Sequence, residues 1–297
     1  MLIDKNFEGV ICALMTPFKA DGSLDLEMMK RHVEILSKSR LRGFYPCGSS
    51  GEAPKMTHEE RMKVIRAVVD GASHKVPVFA GGGGTTTEDS LRAAKDSKDA
   101  GADAVVLLPP YYYHPTQEAL LEHYSTVAKK SDLPIFLYNV PNLAGYSLHN
   151  DTVTTLVKNN SNIVGIKDSS GDMINFGNLI ADLDGRAGVF QGLEPLILPS
   201  LVMGASGAAV SDANVAPDLT VGIVDSFRAK EYDMAFKNQR DLTRLDNALG
   251  IADFILLTKE ALRLMGRPFG ATRKPSTPVT SAQTDHIKKT LLELKLL

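Results

Sequence analysis

The chain has 297 residues, 43% hydrophobic and 23% charged, with a formal net charge of −2, the balance of a globular enzyme or binding protein. Its basic residues are scattered among acidic ones rather than gathered in a stripe or interleaved with aromatics, which excludes a nucleic-acid surface. Two cysteines without zinc-site spacing, no leader pattern at the start and no run of about 18 apolar residues leave no expectation of a metal, a disulfide scaffold or a membrane span, and point to a cytoplasmic location.

In chain order, short continuous apolar runs alternate with longer amphipathic stretches. Strands are expected at Gly9 to Met15, Gly43 to Cys47, Val76 to Ala80, Ala104 to Leu108, Ile135 to Tyr138, Ile163 to Lys167, Ala187 to Gln191 and Gly207 to Ser211. Each is apolar throughout rather than alternating, as strands covered on both faces are. Helix starts are legible between them: a capping box at Thr57-His58-Glu59-Glu60, an opening at Thr87-Glu88-Asp89-Ser90, and another at Thr116-Gln117-Glu118. Beyond the eighth strand, residues 219–297 read as helical, with a Gly/Pro/Thr-rich loop from Gly266 to Pro278. The pattern predicts a (β/α)8 TIM barrel over residues 1–225 and a helical annex packed on it over 226–297.

In such a barrel the C-terminal strand ends carry the chemistry. Lys167 ends the sixth strand, Tyr138 the fifth, and Gly48-Ser49-Ser50-Gly51-Glu52 follows the second. Taken alone, a lysine there is most simply a solvated charge or an ion-pair partner of Asp168. Convergence of an amine, a phenol and two hydroxyls on one mouth favours covalent chemistry instead. An amine attacks a ketone only when neutral, a form that apolar surroundings favour, and the phenol can carry the proton transfers if a hydroxyl such as Ser49 orients it. The Gly-Ser-Ser-Gly turn offers backbone N–H groups and hydroxyls to a carboxylate, though such turns are also common between strand and helix. Together these groups predict a 2-oxo acid substrate.

Five motifs, in order, resemble the pyruvate-dependent class I aldolases and lyases that include N-acetylneuraminate lyase, dihydrodipicolinate synthase and 2-keto-3-deoxygluconate aldolase. They are Thr16-Pro17-Phe18, Gly48-Ser49-Ser50-Gly51-Glu52, Pro110-Tyr111-Tyr112-Tyr113 with Pro115-Thr116-Gln117-Glu118, Tyr138-Asn139-Val140-Pro141, and Gly165-Ile166-Lys167-Asp168. The resemblance implies that Lys167 is the Schiff-base lysine, Tyr138 the general acid/base, Ser49 the relay hydroxyl, and Ser50, with Gly48, the carboxylate site. It implies no cofactor, because the Schiff base formed on the lysine is itself the electron sink. It also implies that Tyr112 is supplied to a neighbouring subunit's site, in a homotetramer built as a pair of tight dimers.

Two departures from the familiar members bear on specificity. Dihydrodipicolinate synthases carry an arginine just after the Tyr-Asn-Val-Pro segment, where it pairs with the carboxylate of the aldehyde substrate; here that position is Leu143. Sialic-acid lyases follow the seventh strand with Gly-Tyr-Asp-Glu, whereas this chain has Gly192-Leu193-Glu194-Pro195. Ser169 sits where sugar-handling members bind a substrate hydroxyl, and Ser211 and Asp212 are placed to reach more distant ones. The lead expectation is therefore a lyase of carbohydrate metabolism that cleaves a 2-keto-3-deoxy sugar acid, such as 2-keto-3-deoxygluconate, to pyruvate and an aldehyde such as glyceraldehyde. 4-Hydroxy-2-oxoglutarate aldolase, N-acetylneuraminate lyase and dihydrodipicolinate synthase are the enzyme alternatives, and a keto-acid-binding protein is the non-enzymatic one.

Gly81-Gly82-Gly83-Gly84 lacks both the dinucleotide and the Walker spacing and reads as a flexible pocket floor. Tyr111 and Tyr113 read as packing beside Tyr112.

Overall fold

A run that is apolar at every position leaves no face for water, so helices must cover it outside while its own side chains fill the inside. The computed structural model, which describes residues 3–297, has that arrangement. Eight parallel strands run as β1 (Gly9–Ala13), β2 (Gly43–Tyr45), β3 (Phe79–Gly82), β4 (Ala104–Leu107), β5 (Ile135–Asn139), β6 (Ile163–Asp168), β7 (Gly188–Gln191) and β8 (Gly207–Val210). Their spatial order is β2-β1-β8-β7-β6-β5-β4-β3. A parallel bridge between Phe44 and Val78, beside a 3.0 Å hydrogen bond from the Phe44 N–H to the Pro77 carbonyl, closes the ring. The fold is the expected (β/α)8 barrel with C-terminal helices.

The helices are α1 (Leu26–Leu36), α2 (His58–Ala72), α3 (Thr87–Asp99), α4 (Gln117–Lys130), α5 (Pro141–Ala144), α6 (Asn150–Asn159), α7 (Met173–Leu183), α8 (Ile197–Val202), α9 (Pro217–Arg228), α10 (Tyr232–Leu249), α11 (Phe254–Leu264) and α12 (Ser281–Glu293). The Thr57 capping box is present, and Thr116 caps α4 through the Ala119 N–H. α3 is capped by Thr86, one residue before the expected start, because its hydroxyl accepts from the Asp89 N–H. α9 runs through residue 225, so the barrel's last helix ends at Arg228 and the annex begins with α10.

The third strand differs most from expectation, lying at Phe79–Gly82 rather than Val76–Ala80. Pro77 cannot donate to a ladder, while two of the four glycines expected to form a loose floor, Gly81 and Gly82, belong to the strand. A Cβ on Gly81 would lie 2.0 Å from the Cys47 carbonyl oxygen, so only glycine lets β3 approach the end of β2 this closely.

Inside the barrel, aromatic rings pack beside the branched aliphatics Ile11, Val106 and Val164. Phe7 meets Phe79 at 5.0 Å between centroids, Phe79 meets Phe136 at 5.1 Å, and Phe136 meets Phe190 at 5.5 Å. Between β5 and β6 the register passes from Ile135↔Ile163 to Phe136↔Gly165, so Val164 is an inserted bulge residue. A Cβ on Gly165 would stand 2.4 Å from the Phe136 ring, which is why this position is glycine. Beyond the bulge, Tyr138 pairs with Lys167 and Asn139 with Asp168.

Candidate active site

The bulge decides which face Lys167 takes. Opposite Tyr138 in register, it is 6% exposed, with its Nζ 4.6 Å from the centroid of the Tyr138 ring and 5.5 Å from that of Tyr45. Asp168 turns to the other face, where its Oδ2 accepts from the Asn139 amide at 2.6 Å and its Oδ1 from the Ser170 N–H and hydroxyl at 3.0 and 2.6 Å. The simple ion pair between Lys167 and Asp168 is thus not formed. The amine lies over two aromatic faces instead.

The hydroxyl turn after β2 is held at both sides. Thr16 donates to the Gly51 carbonyl at 2.7 Å, which gives the Thr-Pro-Phe motif its structural role. Glu52, in a left-handed conformation at φ 57°, is 2% exposed. Its Oε1 receives the Lys259 ammonium at 2.6 Å, and its Oε2 the Arg273 N–H at 3.0 Å and Lys55 at 3.3 Å. The annex therefore fixes the turn from more than 200 positions away, through Lys259, which the sequence did not single out, and Arg273, which reads in the sequence as a solvated charge or a contact for a phosphorylated substrate. A Cβ on Gly48 would be 2.7 Å from the Tyr45 ring, so Gly48 leaves room for that ring beside the lysine. Burial pushes the Tyr45 phenol up, keeping it protonated. Tyr45 was missed because it lies within an otherwise apolar run.

Ser50 is buried, and the Ser49 hydroxyl is buried with no partner among the described residues. Tyr138 takes its contact from elsewhere: the Ser169 hydroxyl donates to the Tyr138 phenol oxygen at 3.4 Å. The expected direct relay from Ser49 to Tyr138 is thus not a hydrogen bond here. Ser169 lies two residues beyond Lys167 and so on the same face. Gly192 completes the wall, since a Cβ there would fall 2.0 Å from the Ser169 Oγ and 2.8 Å from Lys167 Cε.

Ser211 does not offer its hydroxyl to the mouth as expected. It donates to Glu194 Oε1 at 2.9 Å, which also accepts the Ser211 and Asp212 N–H groups at 2.8 and 3.1 Å. Glu194, Asp212 and Asp246 bring carboxylate oxygens within 4.8 Å of one another. Burial, then the neighbouring Glu194 and Asp246 charges, pushes the Asp212 carboxyl up; Asp246 is pushed up to about 6 by burial and then by Glu194. Its placement on α10 hid Asp246 from any reading of strand ends.

Tyr112 adopts φ 82°, is 82% exposed and meets Tyr113 edge-on at 5.1 Å. Tyr113 is exposed rather than packed, and Tyr111 lines a cavity of about 310 Å³ together with Ser49 and Leu143.

Residues 6–294 match the dihydrodipicolinate synthetase family. The chain belongs to that family. It is 38% identical over 289 residues to a 4-hydroxy-tetrahydrodipicolinate synthase of Methanothrix thermoacetophila, covering 97% of each chain. To the enzyme of the same name from Methanoculleus marisnigri it is 36% identical, covering 96% of this chain and 99% of that one. Among solved structures, dihydrodipicolinate synthase from Acinetobacter baumannii complexed with pyruvate superposes with a TM-score of 0.94 at 32% identity, covering 98% of this chain and 100% of that one. YagE, a prophage protein of the same family from Escherichia coli K12 in complex with pyruvate, gives 0.94 at 30% identity over 98% and 99% of the two chains.

Membership makes the chain a pyruvate-dependent class I lyase, an enzyme acting on carbon–carbon bonds, and sets aside the binding-protein alternative. It corrects the lead expectation: the relatives carry the synthase name, and neither 2-keto-3-deoxygluconate nor carbohydrate metabolism is supported by them. No helix among the described residues is long and apolar enough to cross a membrane.

Proposed function

We propose that Lys167 forms an imine with pyruvate and that the chain joins the derived enamine to an aldehyde, or runs the reverse cleavage. The observation that carries this reading is the register of Lys167 with Tyr138, which puts the amine 4.6 Å from the phenol ring in a buried, aromatic-walled site. The lysine amine adds to the pyruvate ketone and water leaves, giving the imine. Loss of a methyl proton yields the enamine, whose carbon attacks the aldehyde carbon while the aldehyde oxygen takes up a proton. Water then releases the product and restores the amine. Tyr138 moves the protons, the unpartnered Ser49 hydroxyl is free to serve as relay, and Ser50 with the backbone at Gly48 holds the carboxylate. No cofactor is needed. Tyr112, exposed on its own chain, completes the relay of a neighbouring subunit in a tetramer.

The relatives favour the 4-hydroxy-tetrahydrodipicolinate synthase reaction for this chemistry. One observation favours a second reading, an aldolase whose aldehyde bears no carboxylate: Leu143 stands where the synthases carry their carboxylate-binding arginine, and it lines the cavity beside Ser49. Turnover of pyruvate with a panel of aldehydes tests the shared chemistry. Lys167→Arg should abolish it in a folded protein, and Tyr138→Phe should lower kcat by about 10²–10⁴-fold. Full activity in either variant would refute the assigned roles.

A further inference from the structure

We infer that the aldehyde this enzyme takes carries an uncharged, apolar tail of alkyl or aryl type, bound in the cavity beside Ser49. The inference rests on the imine chemistry above and deepens its second reading. The cavity, about 310 Å³, is walled by Leu108, Val140, Leu143, Ala144, Phe254 and Ile255, drawn from the residues just after β4 and β5, from α5 and from the start of α11. Two of these side chains, Leu143 at 63% and Phe254 at 41% exposure, are large apolar groups left open to solvent. A ligand covering them removes apolar surface from water.

Charge tells the same story. The cavity's charged residues, Glu52 and Lys55, are already committed. Lys55 Nζ meets Glu52 at 3.3 Å and donates to the Arg273 carbonyl at 2.8 Å, while Glu52 holds Lys259 at 2.6 Å. A carboxylate on the aldehyde would lose its hydration here without gaining a free cation. A polyhydroxylated tail would find chiefly the Ser49 and Tyr111 hydroxyls in the wall, and unpaired hydroxyls lose affinity. The volume corresponds to roughly ten waters at about 30 Å³ each, room for a six-membered ring.

Kinetics with three aldehydes test this on the intact enzyme: benzaldehyde, glyceraldehyde and succinic semialdehyde, each with pyruvate. Benzaldehyde should give the highest kcat/KM by tenfold or more, and Phe254→Ala should cut the ratio of its kcat/KM to that of glyceraldehyde by about tenfold or more. Leu143→Arg should reverse the preference toward succinic semialdehyde. Equal or better turnover of either polar aldehyde by the unaltered enzyme, or a Phe254→Ala variant with an unchanged benzaldehyde ratio, overturns the inference. Should pyruvate fail to react at Lys167 at all, the imine reading fails separately. The tail assignment is then decided by calorimetric binding of the unreactive alcohols benzyl alcohol and glycerol, where preference for glycerol, or no binding of either, overturns it.

Discussion

At the residue scale, the site is built from what its neighbours do not take. Asp168 is engaged by Asn139 and Ser170, so Lys167 has no carboxylate beside it, and Ser49 keeps an unpaired hydroxyl. That Lys167 and Tyr138 end neighbouring strands and that Ser49 and Ser50 follow β2 was legible because strand-end position is local in sequence. The hydrogen bond from Ser169 to Tyr138 was not, since it depends on which face each side chain takes after the β6 bulge, and neither was Tyr45 beside Lys167, since Tyr45 lies within an apolar run. The acidic trio gives a pH prediction. Asp246 and Asp212 have folded-state pKa values raised above their ordinary range, Asp246 from 3.8 to about 6. The folded state therefore binds protons more readily than the unfolded one. This contribution to stability is fully present below about pH 4 and is lost as pH rises through about 6. Asp246→Asn should flatten the fall in melting temperature between pH 4 and 7; an unchanged pH profile would contradict the assignment.

At the element scale, the eight strands were recognisable from continuous apolarity, and their ends moved by only a residue or two except in β3. There the glycines were read as a loop because a strand's usual signal is side-chain bulk, whereas β3 needs its absence to pack against Cys47. The annex was legible as helix but not as a support of the site. That role comes from the Lys259–Glu52 pair, in which both side chains are almost fully buried and burial lowers the lysine's pKa despite the opposing Glu52 charge. Lys259→Met should leave Glu52 charged and buried and cost about 3–5 kcal/mol in urea unfolding. A cost below about 1 kcal/mol would show that Lys55 and the Arg273 N–H hold Glu52 unaided.

At the scale of the whole molecule, barrel and annex make one chain's pocket, while Tyr112 stands exposed in a left-handed conformation that costs a non-glycine residue energy. Its proposed work in a neighbouring subunit has a direct consequence for mixed assemblies. Co-expressed Lys167→Ala and Tyr112→Phe chains should regain roughly a quarter of unaltered activity, because each mixed dimer holds one intact site. Activity no higher than that of Tyr112→Phe alone would place the tyrosine outside the relay. The proposed assembly rests on family resemblance alone, for a single chain's sequence carries no register for a second copy.

The central claim, that Lys167 is the nucleophile, is tested most directly by borohydride reduction in the presence of pyruvate followed by peptide mass spectrometry. The account predicts a stable three-carbon addition confined to the peptide containing Lys167 and absent without pyruvate. An unmodified Lys167, or label on another lysine such as Lys259, would contradict it.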